Sequence, residues 1–150
     1  MPVDRSRYPA NWKQISQRIR FEVAGNRCQF CDVPNGALIV RSVSDPYRYL
    51  IHKSFNNRAE YQWPDGRPAH NQELLADFQS KPIRVVLTVA HLNHDTTDNS
   101  DDNLRALCQR CHNRHDVEYR KKNRAATHAS KKQAAIEATG QQPLFDTEVS

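Results

Sequence analysis

No stretch of this chain approaches the ~18 consecutive apolar residues of a membrane-crossing helix, and the start, MPVDRSRYPANW, lacks the apolar segment of a secretory signal. A cytoplasmic protein without a membrane partner is therefore expected. Internal repeats are absent. Apolar residues are scarce as well, at 37%, with a mean hydropathy of −0.87. A chain of 150 residues is about one domain long, and a core drawn from so few apolar side chains is expected to need support besides hydrophobic burial. A structural metal would supply it.

Cysteine is sparse, and none is left over. In a reducing compartment four cysteines are better read as thiolate ligands than as disulfides. They fall into two matched pairs, Cys28-x2-Cys31 and Cys108-x2-Cys111. A tetrahedral zinc ion takes two such chelating pairs, one from each knuckle, and four thiolates leave no position open for water. The zinc is thus expected to be structural, tying an N-terminal knuckle at 28–31 to a segment near 108.

What the chain has in excess is positive charge. The net charge is +5 and the pI about 9.2, which favours a polyanionic partner. The excess concentrates between residues 104 and 132, where nine Lys/Arg face only Asp116 and Glu118. Such a cluster has the form of a phosphate contact.

Asn11 with Gln14 has the form of a capping box, and Trp12, Ile15, Ile19 and Val23 recur at helical spacing up to Gly25, which predicts a helix over 11–24. Pro34 and Asn35-Gly36 reverse the chain after the first knuckle. Residues 37–82 read as an insertion, with a short helix after Asp45-Pro46, a turn over Trp63 to Pro68 and a second short helix over Gln72 to Phe78. The β-branched run Ile83 to Ala90 predicts one buried strand ending at His91. Asp95 to Asp102 is a polar loop, Leu104 to Cys108 a compact segment, and a basic helix runs from about Cys111 toward Ala138. The expected organisation is one domain over 1–139 and a mobile tail over 140–150.

Val89-Ala90-His91-Leu92-Asn93-His94-Asp95, followed by Asp102-Asn103-Leu104-Arg105-Ala106-Leu107-Cys108-Gln109-Arg110-Cys111-His112, resembles the signature of HNH endonucleases. The resemblance covers residues 86–116, and the pair at 28–31 is similar to the zinc-bearing branch of that family. It implies an α+β fold: a small, mainly helical domain around a ββα-metal finger, stapled by the four-cysteine zinc site. It also implies a DNA endonuclease in which His91 is the general base, Asn103 braces the loop that orients it, and His112 binds a catalytic Mg2+, Mn2+ or similar ion. Ala90 stands where many members carry a ligating Asp or His. His94, or His115 one helical turn beyond His112, could replace that ligand, with His94 preferred. A second frame takes Asn93 as ligand and His94 as base. A DNA-binding module whose nuclease site has decayed at Ala90 is the alternative function.

Arg110, Arg114, Arg120, Lys121, Lys122 and Arg124 are the expected DNA contacts, positioning the backbone without reading sequence. Lys131 and Lys132 fit a solvated helix face. In the tail, Gln141, Leu144 and Phe145 resemble the short peptide by which bacterial repair proteins dock on the DNA sliding clamp. The other reading of this tail is a segment folded back on its own domain.

Overall fold

The sequence pattern of helix, insertion, strand and basic helix resolves into two antiparallel sheets and two helical segments in a computed structural model. It describes residues 4–140 apart from Pro46, Asn57, Asn71, 73–75 and Ser80, with only the backbone of Phe55. The tail residues Gln141, Leu144 and Phe145 and residues 73–75 of the helix expected over 72–78 lie outside the described residues, while Gln72, Ala76 and Asp77 of that helix are helical. Two compact units divide the chain, Met1–Asn113 and Arg114–Ser150.

The first unit begins with a helical turn at Arg5–Arg7 and helix α1, Trp12–Arg18, which continues as a wider π-type turn over Ile19–Val23. Ile19 is fully buried at that junction. Asn11 makes no side-chain cap. Its carbonyl instead accepts from the backbone N–H groups of Gln14 and Ile15, so the capping box does not form. Gly25 follows in left-handed backbone at φ +59°, where a residue without Cβ ends a helix at least cost.

Strands β1 (Leu38–Arg41), β2 (Tyr49–Phe55), β3 (Arg58–Gln62) and β4 (Ile83–Arg84) form one sheet in the order β3-β2-β1-β4. All pairings are antiparallel, with Ile39 opposite both Ile51 and Ile83. The insertion is therefore largely sheet, and the chain after Asp45 turns directly into β2 instead of forming a short helix. Strands β5 (Leu87–His91) and β6 (Leu104–Cys108) make a second, two-stranded sheet, with His91 opposite Leu104 and Ala90 opposite Arg105. The single strand expected over 83–90 serves both sheets. At the break, Val85 N–H donates to the Ala37 carbonyl, still in the first sheet, while Val86 N–H turns to the Gln109 side-chain oxygen. Gln109 also donates to the Arg84 carbonyl, so one carboxamide satisfies the backbone where the chain leaves one sheet for the other.

The core lies where these elements meet. Ile19, Val33, Ile39, Val85, Leu87, Leu104, Ala106 and Leu107 are buried together with Cys28, Cys108 and Cys111. Helix α2, Gln109–Thr139, follows β6 directly. Within the second unit its residues 114–139 are exposed nearly throughout, and Lys121 pairs with Glu118 one turn away at 2.9 Å. No helix of the described residues is long and apolar enough to cross a membrane.

Candidate functional site

The four cysteines meet at one point of the first unit. Cys28 and Cys31 come from the loop after α1, Cys108 ends β6 and Cys111 lies in the first turn of α2. The knuckle is sewn to β6 through Gln29, whose backbone N–H donates to the Ala106 carbonyl at 2.9 Å while its side-chain oxygen accepts from Ala106 N–H at 2.7 Å. The four sulfurs all lie within 4.8 Å of one another, with Cys31 and Cys108 at 3.7 Å. Thiolates at ~2.3 Å around a tetrahedral ion sit ~3.8 Å apart, whereas a disulfide closes to ~2.05 Å. All four are free thiols, and the cluster can hold zinc.

Its electrostatics agree. Neighbouring thiols Cys108, Cys111 and Cys31 hold Cys28 far below the ordinary thiol range by hydrogen bonding. Cys108, Cys28 and Cys31 push Cys111 far above it. Cys108 is likewise lowered and Cys31 raised by the same contacts; thiols this close share their protons as a group, and binding a metal would draw off the protons that remain. Arg41, at the end of β1, is only 3% exposed and donates from Nη2 to Cys108 Sγ at 3.2 Å. A buried guanidinium needs an anion beside it, and four thiolates around one dication carry excess negative charge that Arg41 offsets. Replacing Arg41→Met is expected to lower stability by about 3 kcal/mol, the cost of breaking a buried charge pair. A urea midpoint unchanged from wild type would show that the guanidinium does not compensate the cluster.

A second arrangement forms at the end of β5. His91, 7% exposed, stacks on Trp12 of α1 at 5.2 Å between ring centroids and 17° between planes, and Tyr8 tilts against the same pair. His91 Nε2 lies 3.0 Å from Asn99 Oδ1. The Asn99 amide nitrogen donates to the carbonyls of Thr96 and Thr97, which fixes its oxygen toward the imidazole. Nε2 must then carry the hydrogen, and the lone pair of neutral His91 sits on Nδ1. Asp95 nearby is held below the usual carboxylate range by hydrogen bonds from Thr97, with a smaller contribution from His91.

The loop between β5 and β6 is closed by Asn103, which is 8% exposed. Its side-chain oxygen accepts from Asn93 N–H at 3.0 Å, and its amide donates to Asn93 Oδ1 and the Asp98 carbonyl, both at 2.8 Å. Arg18 of α1 forms a two-point ion pair with Asp101, which ties the loop to the helix. That pair holds Asp101 below and Arg18 above their ordinary ranges. Replacing Asn103→Ala leaves the Asn93 N–H unpaired and is expected to cost about 2 kcal/mol. Amide hydrogen exchange at Asn93 should accelerate at least tenfold. Unchanged protection there would mean that the clasp does not hold the loop.

His112, in the first turn of α2, meets Thr88 of β5: its Nδ1 lies 2.6 Å from Thr88 Oγ1. The Thr88 hydroxyl can donate or accept; when it donates to the Leu107 carbonyl, 3.5 Å away, it accepts from His112 Nδ1–H and leaves Nε2 as the atom to meet a metal, the usual arrangement of ligating histidines. His112 therefore suits a ligand position. Ala90 is buried at 2% exposure and contributes no donor. His94 sits in left-handed backbone at φ +60°, and its N–H donates to the His91 carbonyl. Among the described residues of the first unit, the four cysteines are the one group of three or more His, Cys, Asp or Glu side chains placed to hold an ion. Arg110 is half-buried in the first unit, and in the second Arg114, Arg120, Lys121, Lys122 and Arg124 are exposed.

Arg41, Asn99, Trp12 and Thr88 were not legible as site residues. Trp12 carried only a helical core signal, and Asn99 only that of a polar loop. Thr88 lay within an apolar run. Arg41 left one trace, a lone charge closing the apolar run Ala37-Leu38-Ile39-Val40. No protein-family model, curated protein or solved structure matches the chain.

Proposed function

We propose that this protein is a metal-dependent DNA endonuclease of the HNH type, built on a four-cysteine zinc site and hydrolysing phosphodiester bonds with His91 as general base. The observation that carries the reading is the fixed tautomer of His91: its Nε2–H is held by Asn99 and its ring plane by Trp12, so that Nδ1 is the basic atom. A base of known orientation is what proton abstraction from a water requires. The order of elements, two antiparallel strands followed at once by a helix bearing His112, supports the same reading.

In this mechanism Nδ1 of His91 takes a proton as a water oxygen attacks phosphorus. The bond from phosphorus to the 3′ oxygen breaks, and that oxygen leaves with a proton from solvent. Asn99 accepts from Nε2–H throughout and stabilises the imidazolium. Asn103 keeps the loop that carries Asn99 closed. A divalent cation such as Mg2+ or Mn2+, when bound, offsets the charge that develops on the phosphate and the departing oxygen. His112 through Nε2 would hold it, with His94 as the further ligand expected from the sequence. The basic residues from Arg110 to Arg124 hold the flanking backbone.

A second reading has a specific observation behind it. Ala90 supplies no ligand, and among the described residues of the first unit His112 belongs to no group of three or more His, Cys, Asp or Glu placed to hold an ion, which fits a DNA-binding module with a degenerate nuclease site. Incubating the zinc-loaded protein with supercoiled plasmid and Mg2+, Mn2+ or Ni2+ separates the two. Nicking with at least one metal and none in a chelator supports the enzyme. Duplex binding without cleavage under any metal overturns it in favour of the module.

A further inference from the structure

The basic stretch of α2 is not the only concentration of positive charge in the chain. A cleft of about 830 Å³ opens on the first unit between the N-terminal segment and β5. Arg5, Lys13 and Arg20 line it together with Tyr8 and Trp12, and its inner wall is formed by Thr88 and His112. No Asp or Glu is among its lining residues. Its walls therefore combine three fixed cations with two aromatic rings, one of which, Trp12, also stacks on His91. The cleft thus reaches from these cations to His112, with Trp12 standing between it and His91.

Two of the cations, Lys13 and Arg20, are borne on the helical segment that bounds the cleft. Arg20 is anchored, its Nε donating to the Ser16 carbonyl at 3.2 Å and its guanidinium lying over the Phe21 ring at 5.2 Å. Lys13 and Ser16 stand on α1, which is fixed to the catalytic loop through Arg18 and Asp101. Aromatic rings interleaved with cations along a groove suit a polynucleotide strand, whose bases stack while its phosphates meet the charges.

We infer that this cleft binds a strand of the DNA substrate, with Arg5, Lys13 and Arg20 on its phosphates and Tyr8 and Trp12 against its bases, and leads that strand to His112, beside the stack of Trp12 on His91. The proposal rests on the nuclease reading for its choice of DNA, but its surface is separate from the basic residues of α2. Charge complementarity and ring chemistry select the occupant: an acidic peptide would satisfy the three cations but bring no planar bases to the two half-buried rings.

The test is fluorescence polarisation of the full-length, zinc-loaded protein with a labelled single-stranded DNA 12-mer and with a labelled polyglutamate peptide. The triple variant Arg5→Gln, Lys13→Gln, Arg20→Gln is compared with the double variant Lys131→Gln, Lys132→Gln on the exposed end of α2. The cleft variant is expected to raise Kd for the DNA at least tenfold and to flatten the salt slope by about two, since each phosphate contact on a single strand contributes ~0.7. The control should stay within threefold of wild type. Tyr8→Ala, which removes a ring and no charge, should weaken binding severalfold without changing the slope. Equal DNA affinity of wild type and the cleft variant, or preference for the peptide, overturns the proposal. Loss of DNA binding in the cleft variant of a protein that never cleaves would sustain the cleft and remove only the nuclease reading.

Discussion

Zinc removal is expected to unfold residues 4–113 outright. Cys28, Cys108 and Cys111 lie in the core that α1, both sheets and the first turn of α2 share, with Cys31 packed against it, so an ion there would tie these elements at one point. Structural zinc contributes an apparent ~10–16 kcal/mol in small finger peptides at neutral pH, against a total stability of ~5–15 kcal/mol for an ordinary domain. Without the ion, four thiols replace the thiolate cluster and Arg41 loses the anion it faces, which adds a buried charge to the loss. Both tryptophans, Trp12 and Trp63, lie in this unit, so their fluorescence follows its unfolding without interference from the helix beyond residue 113. Protein refolded with a strong chelator, and the Cys108→Ser variant, should both show the emission of unfolded chain. A cooperative thermal transition at the wild-type temperature in metal-free protein would refute the zinc assignment.

The second large effect falls on turnover. Replacing His91→Ala should reduce the rate of plasmid nicking by ~10²–10⁴, the usual contribution of a positioned general base, while duplex Kd stays within about threefold. The discriminating comparison is with Asn99→Ala, which leaves the imidazole in place and releases its tautomer. That variant should lose about tenfold in kcat with little change in KM, because only the orientation of the base is disturbed. If His91→Ala cleaves at the wild-type rate with zinc fully bound, the base lies elsewhere, and the frame with His94 becomes the one to examine.

The four-cysteine cluster was legible because chelation is a local constraint. Two cysteines three positions apart announce a knuckle whatever the rest of the fold does, and the second pair completes the ligand count. The helix over 12–23 was legible for a similar reason, since Trp12, Ile15 and Ile19 repeat at the helical period. Strands β2 and β3 were not. Arg58–Gln62 is almost wholly polar and partly exposed, and its conformation comes from pairing with Tyr49–Phe55, not from a pattern of its own. The run 83–90 was readable as extended, but its division between two sheets depends on Ala37 and Gln109, which sit far away in sequence. Arg41 and Asn99 illustrate the same limit at the site. Each matters through the atom it faces, a sulfur of Cys108 in one case, 67 positions away, and an imidazole nitrogen in the other, across 8 positions of loop whose path the sequence does not give.

The separation between the two cysteine pairs, 77 positions from Cys31 to Cys108, also sets an order of events during synthesis. At ~5–20 residues per second, the first knuckle leaves the ribosome ~4–15 s before the second pair exists. For that interval Cys28 and Cys31 are a two-thiol chelate without its complement. They are open to oxidation or to capture by a softer metal such as Cu(I), which thiolates also bind well. The nascent chain thus depends on its surroundings, on reductant and on buffered zinc, before it has any fold to protect it. Yield of correctly metallated protein should accordingly follow the zinc supplied during translation more closely than zinc added afterwards.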